Sequence, residues 1–285
     1  MRRPAPLPVR DGLGPARVRL RGGAVLVELA DRFGEAAAAK VLAGEVYCAD
    51  GSVVTGSTVL PPGAHVFLYR DLPDEVPVPF DIPILFADDN LVVADKPHFL
   101  ATMPRGGHVA QTALVRLRRE LYLPELSPAH RLDRLTAGVL VFTTRREVRG
   151  AYQTLFARGE VDKTYLAHAP ATDAELPITV RSRIVKRRGC LQAVEEQGEP
   201  NAETRIEREG ALYRLSPRTG RTHQLRVHMA SLGVPITGDP LYPEVIDVAP
   251  DDFSTPLRLL AHRIAFDDPF TGRRRQFTSE RALEP

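Results

Sequence analysis

The segment HRLDRLTAGVLVF places Asp133 between two arginines, directly before an apolar run that predicts a buried strand. An ionised, partly dehydrated aspartate can attack an electrophilic carbon such as an anomeric centre. An exposed aspartate beside Arg131 or Arg134 is an ordinary surface ion pair of little energetic value. The segment alone favours the ion pair, so a chemical role for Asp133 needs a second group that fixes the carboxylate.

A candidate for that group lies in the segment GRTHQLRVHMASLG, which predicts a helix ending at Gly233. Its first predicted turn is crowded with basic, hydroxyl and amide side chains: Arg221, Thr222, His223, Gln224 and Arg226. Cations run against the dipole preference at a helix N-terminus, and such a choice is typical of an anion-binding site. Arg218 in the preceding turn adds a further cation. An arginine from this segment could hold Asp133 bidentately; ordinary surface arginines are the alternative.

Tyr165, in the segment KTYLA on a predicted strand, could stack its ring on a nucleobase. A core or edge tyrosine is the alternative interpretation. His130 and His223 invite a hydrolase or metal interpretation, which the spacing disfavours. His223 and His228 are five residues apart, whereas two ligands on one helix face need three or four.

Other chemistries find little support in the sequence. The two cysteines form no CxxC pair, and neither a GxSxG motif nor a glycine-rich phosphate loop occurs. These absences disfavour a metal site and a bound nucleotide cofactor. Isolated cysteines suit a reducing compartment, no apolar run approaches the roughly 18 residues of a membrane span, and the N-terminus has no apolar signal region. We expect a cytoplasmic protein.

The formal net charge of +2 is too small to predict nucleic-acid binding by itself. Its distribution is more informative, because arginines and lysines cluster in RLRREL, RSRIVKRRG and TGRRRQF. Local basic clusters on a nearly neutral chain favour a polyanion on one side of the molecule. Each cluster taken singly is also compatible with a solvated surface.

Four regions follow from composition and periodicity. Residues 1–22 are Pro-rich and predict a flexible leader. Residues 23–70 predict a small module of two short helices followed by short strands, and residues 71–83, rich in proline, predict an extended linker. Residues 84–285 alternate many strands with few helices, which predicts an α+β fold with a mixed, largely antiparallel sheet. The sequence shows no additional amphipathic helix that would need a partner subunit, so we expect a monomer.

Three of these segments, in order, resemble the motifs of the RluA-type RNA pseudouridine synthases. HRLDRLTAGVLVF is similar to the family signature around the catalytic aspartate, KTYLA to its Lys-x-Tyr-x-Ala segment, and PRTGRTHQLRVHMASLGVPITGDPLY to its third motif. The segment ILFADDNLVVADKP resembles the start of the catalytic domain, so the resemblance covers about residues 80–285. Residues 24–70 resemble, more weakly, the S4 RNA-binding domain.

The resemblance implies an isomerase that converts specific uridines of an RNA to pseudouridine without a cofactor. It implies that Asp133 is the nucleophile, Tyr165 stacks on the target base, and Arg221 pairs with Asp133. Arg131 would enter the space of the flipped uridine. Further RNA contacts would come from the remaining polar residues of these motifs: His130, Arg218, Thr222, His223, Gln224 and Arg226.

Ribosomal RNA is the expected partner, and transfer RNA is the alternative. A catalytically silent RNA-binding protein on the same fold is the competing hypothesis of a different class. Asp133, Tyr165 and Arg221 are all present, which favours the enzyme.

Overall fold

The computed structural model describes residues 6–72 and 74–283. Residues 1–5, which belong to the predicted flexible leader, lie outside the described residues. The chain divides into two units, Met1–Asp74 and Glu75–Pro285. Among the residues described, no helix is long and apolar enough to cross a membrane.

The smaller unit contains two helices and short strands: β1 (Ala16–Arg19), β2 (Gly23–Ala24), α1 (Val25–Phe33), α2 (Glu35–Leu42), β3 (Tyr47–Cys48), β4 (Val59–Leu60) and β5 (His65–Leu68). Gly34 separates the helices with a positive φ of 82°, which glycine adopts without steric cost. The prediction of a flexible leader over residues 1–22 is wrong for β1. This strand pairs antiparallel with β5, so its backbone hydrogen bonds are satisfied within a sheet of order β1-β5-β3.

The larger unit holds eleven strands and three helices among its described residues. They are β6 (Ile84–Ala87), β7 (Leu91–Lys96), α3 (Ala113–Glu120), β8 (Ser127–Pro128), β9 (Ala137–Thr143), α4 (Arg146–Arg158), β10 (Asp162–Ala167), β11 (Ile178–Val185), β12 (Val194–Glu196), β13 (Ala202–Glu209), β14 (Leu212–Pro217), α5 (Gln224–Ser231), β15 (Leu259–Asp267) and β16 (Arg274–Thr278).

These strands form one sheet of order β12-β11-β13-β14-β10-β15-β9-β7-β6, with β16 on β15 and β8 on β9. Every pairing is antiparallel except that of β15 with β9. The predicted α+β class with a largely antiparallel sheet is therefore confirmed.

Both faces of β9 are covered, which explains its unbroken apolar sequence. Leu140 and Phe142 pack in a core with α3, while Val139 and Val141 pack with Val148 and other α4 side chains on the other face. Alternate residues of a strand point to opposite faces, so one apolar run supplies both cores. The loop that carries Asp133 therefore enters a rigid strand.

The segment that begins the larger unit is fastened beside the start of α3. The Glu75 carboxylate accepts hydrogen bonds from the backbone N–H groups of Val109 (3.0 Å), Ala110 (2.6 Å) and Gln111 (3.0 Å). The Val78 N–H donates to the Gln111 side chain (3.3 Å). The second half of the predicted 71–83 linker is thereby held against the larger unit.

Helix α5 begins later than the sequence predicts. His223 is its N-cap, in the left-handed region with φ 60°, and the first helical residue is Gln224. Arg221 and Thr222 therefore lie in the preceding turn. The proposed anion site in the first turn of this helix is wrong in its geometry, since these side chains project from a loop.

Gly138, in β9, is required by the parallel pairing with β15. Its φ is +112°, and a Cβ atom there would lie 2.3 Å from the Ala261 carbonyl oxygen. Gly138→Ala should lower the free energy of unfolding by about 2–4 kcal/mol, because backbone strain and overpacking add. Urea unfolding followed by circular dichroism measures the change.

Gly150→Ala is the matched control for that substitution. Gly150 lies inside α4, and a methyl group added there would meet no atom within 4 Å apart from its chain neighbours and the backbone of its own helix. Alanine there should raise stability by about 0.5–1 kcal/mol through helix propensity. Equal stability of the Gly138 and Gly150 variants would contradict the close-approach explanation.

Candidate functional site

A cleft of about 1140 Å³ opens in the larger unit, and its floor carries Asp133. The structure brings together all ten residues that the sequence singled out, because each lines this cleft: His130, Arg131, Asp133, Tyr165, Arg218, Arg221, Thr222, His223, Gln224 and Arg226. They come from the loop before β9, from β10, from the turn between β14 and α5, and from the first turn of α5. Segments distant in sequence thus form one site.

The loop that carries Asp133 is clamped by hydrogen bonds on both sides of the aspartate. The Thr102 hydroxyl donates to the Leu132 carbonyl (2.8 Å) and accepts from the Leu132 N–H (3.1 Å). The Thr136 N–H donates to the Asp133 carbonyl (3.1 Å) in a tight turn. The His98 ring contacts the Leu135 carbonyl (2.7 Å). Asp133 is therefore presented to the cleft from a fixed backbone.

Lys96, at the end of β7, completes this clamp and has no exposed surface. Its ammonium donates to the carbonyls of Pro97 (2.8 Å), Leu100 (2.7 Å) and Arg134 (3.2 Å). Three carbonyl partners use all three N–H donors of a protonated lysine. Burial lowers the pKa of Lys96 well below its ordinary value, and the negative charge of Asp133 acts in the opposite direction. Lys96 is thus a buried amino group that interacts electrostatically with Asp133 and that sequence reasoning missed.

Tyr165 lies half-buried on β10, where the pairing with β15 shifts register between Thr164 and Leu166. A β-bulge of this kind re-aims a side chain relative to a regular strand. Burial and, secondarily, the charge of Asp133 raise the pKa of the Tyr165 phenol above its ordinary value. The phenol is therefore neutral near pH 7, which suits stacking or hydrogen-bond donation better than proton removal.

The predicted ion pair between Arg221 and Asp133 is wrong for this structure. Arg221 is exposed, and its Nε donates to the Asn201 carbonyl (3.0 Å). Among the described residues no salt bridge joins Arg221 to Asp133. The Arg221 guanidinium instead contacts the backbone directly before β13.

Arg226 and Gln224 were predicted to contact RNA, and the structure gives both structural partners instead. The Arg226 guanidinium is 3% exposed and forms a bidentate pair with Asp239, which is 1% exposed. The Gln224 amide donates to the Glu203 carbonyl and the Thr204 hydroxyl, and its oxygen accepts from two further groups. All four hydrogen-bond positions of that amide are used within the protein.

The two candidate histidines differ in what they can offer a ligand. His130 stacks on Phe156 at 4.4 Å, and its Nε2 accepts from the Val141 N–H (3.2 Å). Burial lowers the pKa of His130 to about 3, so the ring is neutral near pH 7. It lines the cleft as a neutral group, and its contact with RNA stays a prediction. His223 Nδ1 meets the Tyr242 hydroxyl (2.9 Å), which also donates to the Ala193 carbonyl. That arrangement makes Nδ1 the donor and leaves Nε2 as an acceptor for a ligand.

The rim of the cleft is basic. Arg131 and Arg218 are exposed there, as predicted for residues that meet a polyanion, and Arg181 of the cluster RSRIVKRRG joins them. Arg105 and His108 line the cleft from the loop before α3, where no sequence motif pointed to a site. A cation-lined cleft with a fixed aspartate at its floor is suited to chemistry on a sugar of a phosphodiester chain.

Comparison with known proteins places similar sequences in one enzyme family. A family model described as RNA pseudouridylate synthase matches residues 90–231. The dual-specificity RNA pseudouridine synthase RluA of Vibrio cholerae is 30% identical over 197 residues, which is 66% of this chain and 78% of that protein. The mitochondrial tRNA pseudouridine(32) synthase of Saccharomyces cerevisiae is 35% identical over 172 residues, which is 56% of this chain and 37% of that protein.

Among solved structures, the human RNA pseudouridylate synthase domain containing 4 superposes with a TM-score of 0.55 at 26% identity. That alignment covers 69% of this chain and 87% of the other. Several relatives are much longer proteins: the chain spans about a third of the length of the human, yeast and mouse relatives that it matches.

Proposed function

Because this chain belongs to the RluA-type family of RNA pseudouridine synthases, we propose that it isomerises specific uridines to pseudouridine in ribosomal RNA. The observation that carries the proposal is the position of Asp133. The aspartate of the family-like signature lies on a clamped loop at the floor of a basic cleft, beside Tyr165.

The reaction rearranges one nucleoside without any net gain or loss of atoms. The N1–C1′ bond of uridine breaks, the base turns, and C5 bonds to C1′ while the C5 proton leaves and N1 takes up a proton. Asp133 either attacks C1′ or removes a C2′ proton to assist loss of the base. Tyr165 stacks on the base while it turns. Both roles need a uridine that has left the helical stack.

The residues at the rim of the cleft bind the RNA and help the target uridine to reach Asp133. Arg131 enters the space left by the flipped uridine, and Arg218 and Arg221 contact phosphates with His223 and Thr222 beside them. Phosphate contacts supply affinity without sequence information. Arg221 therefore has a binding role here, since its guanidinium is exposed on the cleft wall.

The smaller unit is proposed to be an S4-like RNA-binding module. Its two helices followed by short strands support that assignment, as does the row of basic residues Arg17, Arg19 and Arg21 at its start. A second RNA-binding unit suits a large folded substrate, which favours ribosomal RNA. The name of the yeast relative supports transfer RNA as the alternative. We further propose a cytoplasmic monomer, in keeping with two free cysteines.

Tritium release tests this function directly. Ribosomal and transfer RNA transcripts carrying uridine tritiated at C5 are incubated separately with the purified protein. We expect release from a ribosomal RNA at substoichiometric enzyme, because the C5 proton must leave during each isomerisation. Release from transfer RNA alone would overturn the substrate assignment. Absence of release from both the ribosomal and the transfer RNA transcripts would contradict the enzyme assignment and favour a catalytically silent RNA-binding protein.

Lys96 is expected to act as a positioning residue for Asp133. Lys96→Met removes the ammonium that ties β7 to the Arg134 carbonyl, so the aspartate loop loses one anchor. A shift of about 1 Å at a reacting group costs roughly 10²-fold in rate, and we expect kcat to fall by about that factor. KM should change far less, because the basic rim is untouched.

Lys40→Met, in α2 of the smaller unit, is the control for that substitution. It makes the same substitution at a lysine that does not line the cleft, and it should leave kcat unchanged. Thermal melting checks that the Lys96 variant is folded under assay conditions. A folded Lys96 variant with kcat within threefold of wild type would remove Lys96 from the positioning role.

A further inference from the structure

A carboxylate lies among the arginines of the cleft wall. Glu203, on β13, faces two arginines from neighbouring elements: Arg181 Nε lies 2.9 Å from one carboxylate oxygen, and Arg218 Nη1 lies 3.9 Å from the other. All three residues line the cleft. The two arginine side chains are 61% and 80% exposed, so the group is open to solvent and to a ligand.

The backbone fixes Glu203 in this position. Its N–H donates to the Thr219 hydroxyl (3.0 Å), and its carbonyl accepts from the Arg218 N–H (3.0 Å) and from the buried Gln224 amide (2.9 Å). The Cα–Cβ bond therefore has a defined direction towards the cleft. Arg181 comes from β11 and Arg218 from the turn after β14, on either side of β13. Two guanidinium groups that converge on one anion form the arrangement that a phosphate prefers.

We propose that Arg181 and Arg218 form a phosphate-binding site for the RNA backbone beside the target uridine, and that Glu203 occupies this site until a phosphodiester replaces it. The inference rests on the proposed function, because it takes RNA as the ligand. Glu203 is ionised near neutral pH, since the hydrogen bond from Arg181 lowers its pKa below the ordinary value. Exposed ion pairs are weak, so the exchange of carboxylate for phosphate is accessible.

The arrangement has a consequence for selectivity. An RNA that binds only to the exposed side of the cleft must compete with Glu203 for the two arginines. Its affinity therefore rises little through them. An RNA that is also held at the cleft floor brings its phosphate to the site at high effective concentration and can replace the carboxylate. Glu203 thus lowers non-specific affinity more than it lowers affinity for the correct substrate.

Substitution of Glu203 tests the proposal, because removal of this carboxylate is expected to strengthen RNA binding. Glu203→Gln should lower the Kd for a non-substrate RNA by about three- to tenfold at about 50 mM salt, because two arginines become available. The plot of log K against log salt should steepen by about 0.9 for each additional phosphate neutralised. Fluorescence anisotropy across a salt series, with protein already shown active by tritium release, gives both quantities.

Glu207→Gln is the matched control. Glu207 lies on the same strand and pairs with Arg205 at 3.0 Å, but it does not line the cleft. Both variants change net charge equally, so a general electrostatic effect moves them together. Affinity and salt slope equal in the two variants would overturn the proposal, and so would weaker binding by Glu203→Gln in a protein with unchanged thermal melting.

A second comparison isolates the arginines. Arg181→Gln should weaken RNA binding less than twofold in the wild-type background, where Glu203 already neutralises it, and severalfold in the Glu203→Gln background. Equal effects in both backgrounds would show that the carboxylate does not mask the site. Retained tritium release in all these variants leaves the proposed function standing when this inference fails.

Discussion

Asp133→Asn is expected to reduce tritium release by about 10⁴-fold or more while leaving RNA affinity nearly unchanged. The amide has the shape of the carboxylate, so the clamped loop keeps its conformation. It carries no negative charge and is neither a nucleophile at C1′ nor a base at C2′. Loss of a covalent-catalysis group commonly costs about 10⁴- to 10⁶-fold in turnover. Single-turnover tritium release with enzyme in excess measures the chemical step.

Asp162→Asn provides the control for that loss. Asp162 is an exposed aspartate at the start of β10, paired with Arg274 and outside the cleft. Its substitution makes the same change of charge and should leave turnover unchanged. Turnover by Asp133→Asn within tenfold of wild type, from a protein free of contaminating activity, would remove Asp133 from the chemistry on either reaction route.

The largest effect on stability is expected at the buried pair of Arg226 and Asp239. Arg226 Nε lies 2.7 Å from the Asp239 carboxylate, and the Asp239 carboxylate also accepts the N–H groups of Leu241 and Tyr242. Arg226→Met or Asp239→Leu should each lower the free energy of unfolding by about 3–5 kcal/mol, because each leaves an uncompensated buried charge. Urea unfolding followed by circular dichroism gives both values.

The double variant separates a buried charge from lost packing. Arg226→Met with Asp239→Leu removes both charges, so it should be less destabilising than the sum of the single variants. Arg205→Met, which breaks the exposed pair with Glu207, should cost less than about 1 kcal/mol. Additive costs at Arg226 and Asp239 would contradict the charge explanation.

The regular elements of the catalytic unit follow well from sequence periodicity. The apolar run after Asp133 predicts β9, and the helical spacing of Val148 and Tyr152 predicts the buried face of α4. Both predictions succeed because each pattern depends only on residues close together in sequence. The strand β1 inside the predicted leader was missed, since a four-residue edge strand gains its stability from a distant partner, β5.

The residues that line the site could be predicted from the sequence, but the partners of their side chains could not. Three motifs place ten residues on one cleft, whereas the partner of an arginine depends on where its guanidinium reaches in three dimensions. Arg221 meets a backbone carbonyl, and Arg226, expected at the RNA, is buried on Asp239. A signal for Lys96 was present, because a lysine closing the apolar run LVVADK has to find buried acceptors.

The parallel pairing of β9 with β15 sets the order in which the chain can become competent during synthesis. Ala137 and Gly138 follow the Asp133 loop directly, yet their partners Leu260 and Ala261 leave the ribosome far later. A nascent chain that ends at α5 already contains Asp133, Tyr165 and Arg221 but lacks β15, the strand that pairs with Gly138. Such long-range pairing forms slowly compared with local hairpins. Polypeptides released before β15 therefore contain the predicted catalytic residues but lack the strand that pairs with β9.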